Sequence, residues 1–234
     1  MQSAKDLKRE LSIYTNYEKA TVLQRFFKTG KDQYGEGDIF LGVIVPDTRK
    51  VAKKFIDLSL NEVKKILYSK IHEERLCALL ILVEKYSKAD EKNKKIIFDF
   101  YIKNTKQANN WDLVDLSAPK IVGNYLLNKP RKILYKFAKS KNLWEKRISI
   151  LSTYTFIKNK QFKDTFEIAR ILLHDEHDLI QKAVGWMLRE VGKIDQNSEE
   201  TFLNKYRKDL SRTTLRYAME RFPEKKRKRY LAFT

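Results

Sequence analysis

The run Ser59-Leu60-Asn61-Glu62-Val63-Lys64-Lys65-Ile66-Leu67, followed after a short break by Arg75-Leu76-Cys77-Ala78-Leu79-Leu80-Ile81-Leu82-Val83, decides the fold class. Ser59 and Glu62 stand three apart, the spacing of a capping box, directly ahead of apolar Val63, Ile66 and Leu67. The second helix reads from about His72 to Tyr86, with Leu76, Leu79, Leu80 and Val83 as its apolar stripe. The same period covers roughly residues 5–27, 47–57, 91–104, 111–127, 131–139, 143–157, 163–173, 178–192, 198–207 and 211–221. The chain has only 7 Gly and 4 Pro, and Gly30, Gly35, Gly37 and Gly42 fall in one segment, so little else interrupts the helical pattern. The expectation is an all-α chain with no sheet.

The more regular helices superpose on a basic residue near their start, namely Arg75, Arg147, Lys182 and Arg216. Successive separations of 72, 35 and 34 residues fit a period of about 35 if one repeat between the first two is unmarked; its marker then falls near Trp111. Paired-helix solenoids have periods of this length, HEAT and armadillo repeats running slightly longer. The expected architecture is an α-solenoid of HEAT-like repeats, a single domain over residues 1–234, with its second helices lining a concave basic groove. In this register Trp111, Arg147, Lys182 and Arg216 face the groove, with Asp115 and Trp186 one turn beyond Trp111 and Lys182. Chance periodicity among 49 basic residues is the competing explanation.

The 49 Lys and Arg outnumber 30 Asp and Glu, giving a net charge of +19. A phosphate-bearing partner is therefore the leading ligand class, nucleic acid ahead of anionic membrane. The lone Cys77 sits in an apolar helical pattern and reads as a small buried hydrophobe, which excludes a disulfide scaffold and suits a reducing, cytoplasmic setting. No apolar run approaches a membrane span of ~20 residues and no secretory signal is evident, so a soluble, unexported chain is expected.

The stretch Asn109-Asn110-Trp111-Asp112-Leu113-Val114-Asp115 puts an indole and a carboxylate one helical turn apart. A carboxylate repels phosphate, so its place on a polyanion-binding surface points to chemistry on a cationic centre. Breaking an N-glycosidic bond leaves positive charge on the sugar, which a fixed carboxylate stabilises while it orients water. Aromatic faces beside the same carbon add cation–π stabilisation. A base made cationic by alkylation leaves without a general acid, which matters because no histidine accompanies the pair in sequence. Asp112 competes for the role, but at the start of the helix an acid also complements the helix dipole. For Asp115 the competing role is a salt bridge to an adjacent repeat; for Trp111, Trp144 and Trp186 it is core packing.

The run from Asn110 to Asp115 through Ala118, Ile121, Val122, Gly123 and Tyr125 resembles the signature of the AlkD-type, HEAT-like-repeat DNA alkylation repair glycosylases. Phe26 to Gly30 with Tyr34 to Pro46, Leu143 to Ile148, Lys182 to Glu190 and Arg216 to Glu220 agree with the same family and carry the likeness nearly end to end. The resemblance implies release of N3- and N7-alkylated purines from double-stranded DNA, with no metal or organic cofactor. It implies Asp115 as the catalytic aspartate, Trp111 and Trp186 as the pair cradling the damaged nucleotide, and Arg147 as a phosphate contact. Lys182, Arg189 and Arg216 join Arg147 as expected phosphate contacts. Pro119, four residues after Asp115, departs from a regular helix and is expected to kink or end it.

The glycine segment lacks the Gly-Lys-Ser/Thr ending of a P-loop and reads as a structured surface loop. His174-Asp175-Glu176-His177 offers only two imidazoles in a polar connector, a poor zinc site. Lys225-Lys226-Arg227-Lys228-Arg229 reads as a solvated or backbone-contacting basic patch. The expected activity is a monofunctional glycosylase, monomeric because the end repeats of a solenoid can cap themselves. The rivals are a catalytically silent nucleic-acid-binding solenoid and a protein-binding scaffold, the second disfavoured by the charge.

Overall fold

The computed structural model describes residues 2–232. Among them every regular element is helical, and the only ladder-type pairing is an isolated parallel bridge between Ile39 and Ile71. Among the described residues no helix is long and apolar enough to cross a membrane. The chain forms two compact units, Met1–Ser117 and Ala118–Thr234.

The first unit contains α1 (Ala4–Ser12), α2 (Tyr17–Phe26), α3 (Val45–Lys54), α4 (Leu60–Leu67), α5 (His72–Lys88), α6 (Glu91–Lys103) and nearly all of α7 (Trp111–Ala118). The single helix expected over residues 5–27 is two, because Asn16 turns its side chain onto the Lys19 N–H and starts α2 afresh. α5 is the central strut: α3, α4 and α6 pack on it, and α1 lies on α3 and α4. Leu76, Ala78, Leu79, Leu80, Ile81 and Leu82 of α5 are all buried, so this helix is apolar nearly all round. The capping box expected at Ser59 forms by half. Ser59 accepts from the Glu62 N–H, but the Glu62 carboxylate reaches away to the Ala4 N–H at 2.7 Å, tying α4 to α1. Ser3 and Asp6 make the reciprocal box instead.

The second unit holds a π-helical turn (Pro119–Gly123), α8 (Asn124–Leu126), α9 (Lys132–Ala138), α10 (Leu143–Lys158), α11 (Lys163–Ile171), α12 (Asp178–Gly192), α13 (Gln196–Tyr206), α14 (Arg212–Ala218) and α15 (Glu224–Leu231). α10 packs on α12 and α12 on α14, while α9 packs on α11: alternate helices stack, as paired-helix repeats require. α12 and α14 approach closely at Gly185, where a Cβ would meet the Thr214 carbonyl and the Tyr217 side chain. α15, absent from the sequence expectation, forms over the basic run 225–229 and is pinned by Tyr230, buried, whose hydroxyl donates to Asn204.

Candidate functional site

The repeat register is visible in the hydrogen bonds that open each helix. The first intrahelical bonds of α10, α12 and α14 run from Lys146, Gln181 and Leu215 to the carbonyls of Asn142, His177 and Ser211. The next residues are Arg147, Lys182 and Arg216. In α7 the first bond runs from Val114 to the Asn110 carbonyl, so the residue in the equivalent place is Asp115. The unmarked repeat therefore has its marker at Asp115 rather than at Trp111, and there alone the sign is reversed. Arg75 falls one residue out of this register, since its own N–H makes the first bond of α5.

Trp111 and Asp115 are both half-buried. The indole stacks on Phe27 at 5.1 Å and 11° and meets Phe26 edge-on at 6.0 Å. Phe27 stacks in turn on Phe40 at 5.0 Å, and Phe40 on the imidazole of His72 at 4.5 Å. Ser117, one turn below Leu113, donates to the Leu113 carbonyl and shares a 2.9 Å hydrogen bond with the Tyr101 hydroxyl. Burial pushes the Tyr101 phenol up; the Ser117 bond opposes this and the nearby Asp115 carboxylate adds to it. Asp115 lies in the regular part of α7, and the break that Pro119 introduces takes the form of the π-helical turn after Ala118.

Asp112 is not a solvated dipole partner. It is buried, and its Oδ2 lies 2.8 Å from His72 Nε2. His72 Nδ1 lies 3.0 Å from Asp38 Oδ2, and Asp38 Oδ1 accepts from Arg75 at 2.6 Å. Asn110 donates to Asp38 and accepts the Trp111 N–H at 2.8 Å. A histidine thus underlies the Trp111 helix after all, supplied by α5, and sequence spacing had no means of showing it. The proton is held tightly: burial is the largest influence and opposes the charge on His72, the Asp112 and Asp38 carboxylates together outweigh it, and the imidazole is raised to about 9. Burial pushes Asp38 up, but His72, Arg75 and Asn110 together hold its carboxyl below the usual carboxylate value.

The glycine segment is fixed by the helix next to this cluster. The Leu41, Gly42 and Val43 N–H groups all donate to the buried Glu73 carboxylate, the shortest at 2.8 Å. Gly42 has φ +82°, and any Cβ there would sit on the Asn16 carbonyl oxygen, so only glycine fits.

In the second unit the expected phosphate contacts differ in availability. Arg216 is exposed, and Lys182 is half-buried with an ion pair to Asp178 at 2.6 Å. Arg189 pairs with Glu220. Arg147 is buried, only 5% exposed, and donates to the Leu179 carbonyl in the first turn of α12. Its role as seen is to bind one repeat to the next, as Arg75 binds α5 to the Ser69 carbonyl and Asp38. Trp186 is half-buried and its indole N–H donates to Glu190, a buried carboxylate also paired with Lys158 and Lys193. His177 and Asp175 serve as local caps ahead of α12, and Asp175 pairs with Lys146.

Residues 7–222 match the family described as DNA alkylation repair enzyme. The chain belongs to that family. The assignment gives it a role in the repair of alkylated DNA and makes DNA its substrate. A solved structure described as a predicted DNA alkylation repair enzyme from Enterococcus faecalis superposes with a TM-score of 0.71 over 90% of this chain and 97% of that one. At 16% identity that likeness establishes the shared all-α fold. No curated protein matches in sequence. Within the repair-enzyme fold, α15 lies beyond the matched residues.

Proposed function

We propose that the protein is a monofunctional DNA glycosylase that hydrolyses the N-glycosidic bond of N3- and N7-alkylated, cationic purines in duplex DNA. The observation that carries this reading is Asp115: one carboxylate, a turn from a stacked indole, in the register position that is cationic in three other repeats. An anion there weakens phosphate binding and stabilises a sugar cation. The C1′–N bond breaks with its electron pair going to the base, which leaves neutral. Water adds to C1′, and its proton passes by way of Asp115 to solvent. Trp111, backed by Phe27, offers a flat face to the cationic nucleotide. Arg216 and Lys182 are the phosphate contacts best placed by exposure. Arg189 would exchange Glu220 for phosphate, Arg147 would act behind the surface by holding α12, and Trp186 would pack against the nucleotide.

The test is release of free base from duplex DNA carrying N7-methylguanine. The native protein is expected to release it, and Asp115→Asn to do so slower by about two orders of magnitude or more. Salt-sensitive binding with no release by either protein would overturn the enzyme reading in favour of a silent DNA-binding solenoid.

A further inference from the structure

Four consecutive charged residues, His72-Glu73-Glu74-Arg75, open α5, and all four are buried. Each holds something outside its own helix. Glu74 pairs with Lys8 of α1 at 2.7 Å, Glu73 takes the amides of 41–43, and Arg75 and His72 share Asp38. Only His72 reaches α7. Both of its ring nitrogens face carboxylate oxygens, and an ionised carboxylate can only accept, so both nitrogens must carry protons. The charge count agrees: Asp38 and Asp112 against His72 and Arg75 sum to zero only if the ring is an imidazolium. A neutral ring would leave one buried carboxylate uncompensated. Phe40 and Phe27 lie against the same ring, where an aromatic face favours a cation.

We infer that His72 is a positioning residue, a doubly protonated imidazolium clamped between Asp38 and Asp112 that fixes the first turn of α7 and with it the Trp111 indole and the Asp115 carboxylate. Asp112 is the adjacent residue to Trp111, and Asn110 closes the other side by joining Asp38 to the Trp111 N–H. The aromatic column from His72 through Phe40 and Phe27 to Trp111 gives the clamp a second, independent hold on the indole. The clamp touches neither base nor sugar; it acts through the two groups that do, and in that respect it rests on the glycosylase reading.

The experiment has two arms on the full chain. In the first, the imidazole nitrogens are followed by NMR in uniformly 15N-labelled protein. His72 is expected to show two protonated nitrogens at pH 7.5 and to stay so until about pH 9, above the range in which His177, pushed down by burial, titrates. A bare ring nitrogen on His72 at pH 7.5 overturns the clamp. In the second arm, Asp112→Asn and Asp38→Asn are compared with native protein by thermal melt, DNA affinity and single-turnover base release. A folded variant should bind undamaged duplex within about twofold of native yet release base about 10- to 100-fold more slowly. Native release rates in both folded variants would overturn the positioning role. Should neither variant fold, His72→Gln is the remaining probe, and the NMR arm stands on native protein alone. If native protein releases no base, the glycosylase reading falls separately, and the clamp is judged by the Trp111 indole resonance. That signal must shift in Asp112→Asn while those of Trp144 and Trp186 do not; an unmoved Trp111 signal overturns it.

Discussion

Glu73 shows how much one buried carboxylate can organise. It accepts three backbone N–H groups of the 41–43 loop, and deleting it strands the buried Gly42 and Val43 amides away from water. Glu73→Ala should therefore cost at least about 2 kcal/mol, read as a lower urea midpoint at unchanged slope. Gly42→Ala fails for a different reason, left-handed backbone and a blocked Cβ, and should lose about 2 kcal/mol or more by the same assay. At this scale the sequence was only partly readable. Trp111 and Asp115 could be paired because helical spacing alone sets their distance. The His72-Glu73-Glu74-Arg75 run could not be decoded, because acids at a helix start have an ordinary explanation in the helix dipole and their partners lie 30 or more residues away. Arg147 differs in the opposite direction: an arginine on a basic protein reads as a phosphate contact, and only packing reveals that it is buried and donates to the Leu179 carbonyl.

Helices were the most legible level, since apolar period and caps are local properties. The errors fell where a local signal was doubled or missing. One long pattern over 5–27 concealed the Asn16 restart, and α15 is too charged to display a period. For Pro119 the expectation of a kink or an end leaves out the third outcome, because a proline can end a helix, kink it or widen it, and the choice depends on what packs alongside. Here the turn widens to π, with the Thr155 hydroxyl of α10 donating to the Pro119 carbonyl at 2.7 Å. A proline forced into a regular helix costs about 3 kcal/mol, so its removal would regain that much if the ring were straining the turn. We expect Pro119→Ala to change stability by less than about 1 kcal/mol in a urea melt, because the wider turn already accommodates the ring. A gain near the full amount would show the opposite.

For the molecule as a whole, two buried groups lower stability as pH rises through the neutral range. His72 is raised from 6.5 to about 9, so its contribution to stability is fully present below pH 6.5 and is lost as pH rises through 9. Glu199, buried beside Glu200, is raised from 4.5 to about 8; the folded chain keeps that proton while the unfolded chain gives it up, so stability again falls with rising pH, in a lower window. Melting temperature should therefore decline from about pH 5 to pH 9, Glu199→Gln flattening the lower part and His72→Gln the upper. The net charge of +19 makes a second, independent forecast about DNA. Each phosphate contact adds about 0.9 to the slope of log affinity against log salt, so Arg216→Ala should reduce that slope by about 0.9 and Arg147→Ala, being buried, should leave it nearly unchanged.

The sign reversal at Asp115 also makes the protein convertible. With lysine at that position the four registered helices would carry cations without exception, and, on the proposed glycosylase reading, the sugar cation would meet only repulsion there. Such a chain should hold duplex DNA more tightly than the native protein and release no base from it. A repair enzyme would become a tight, damage-indifferent binder of duplex DNA that leaves alkylated bases in place.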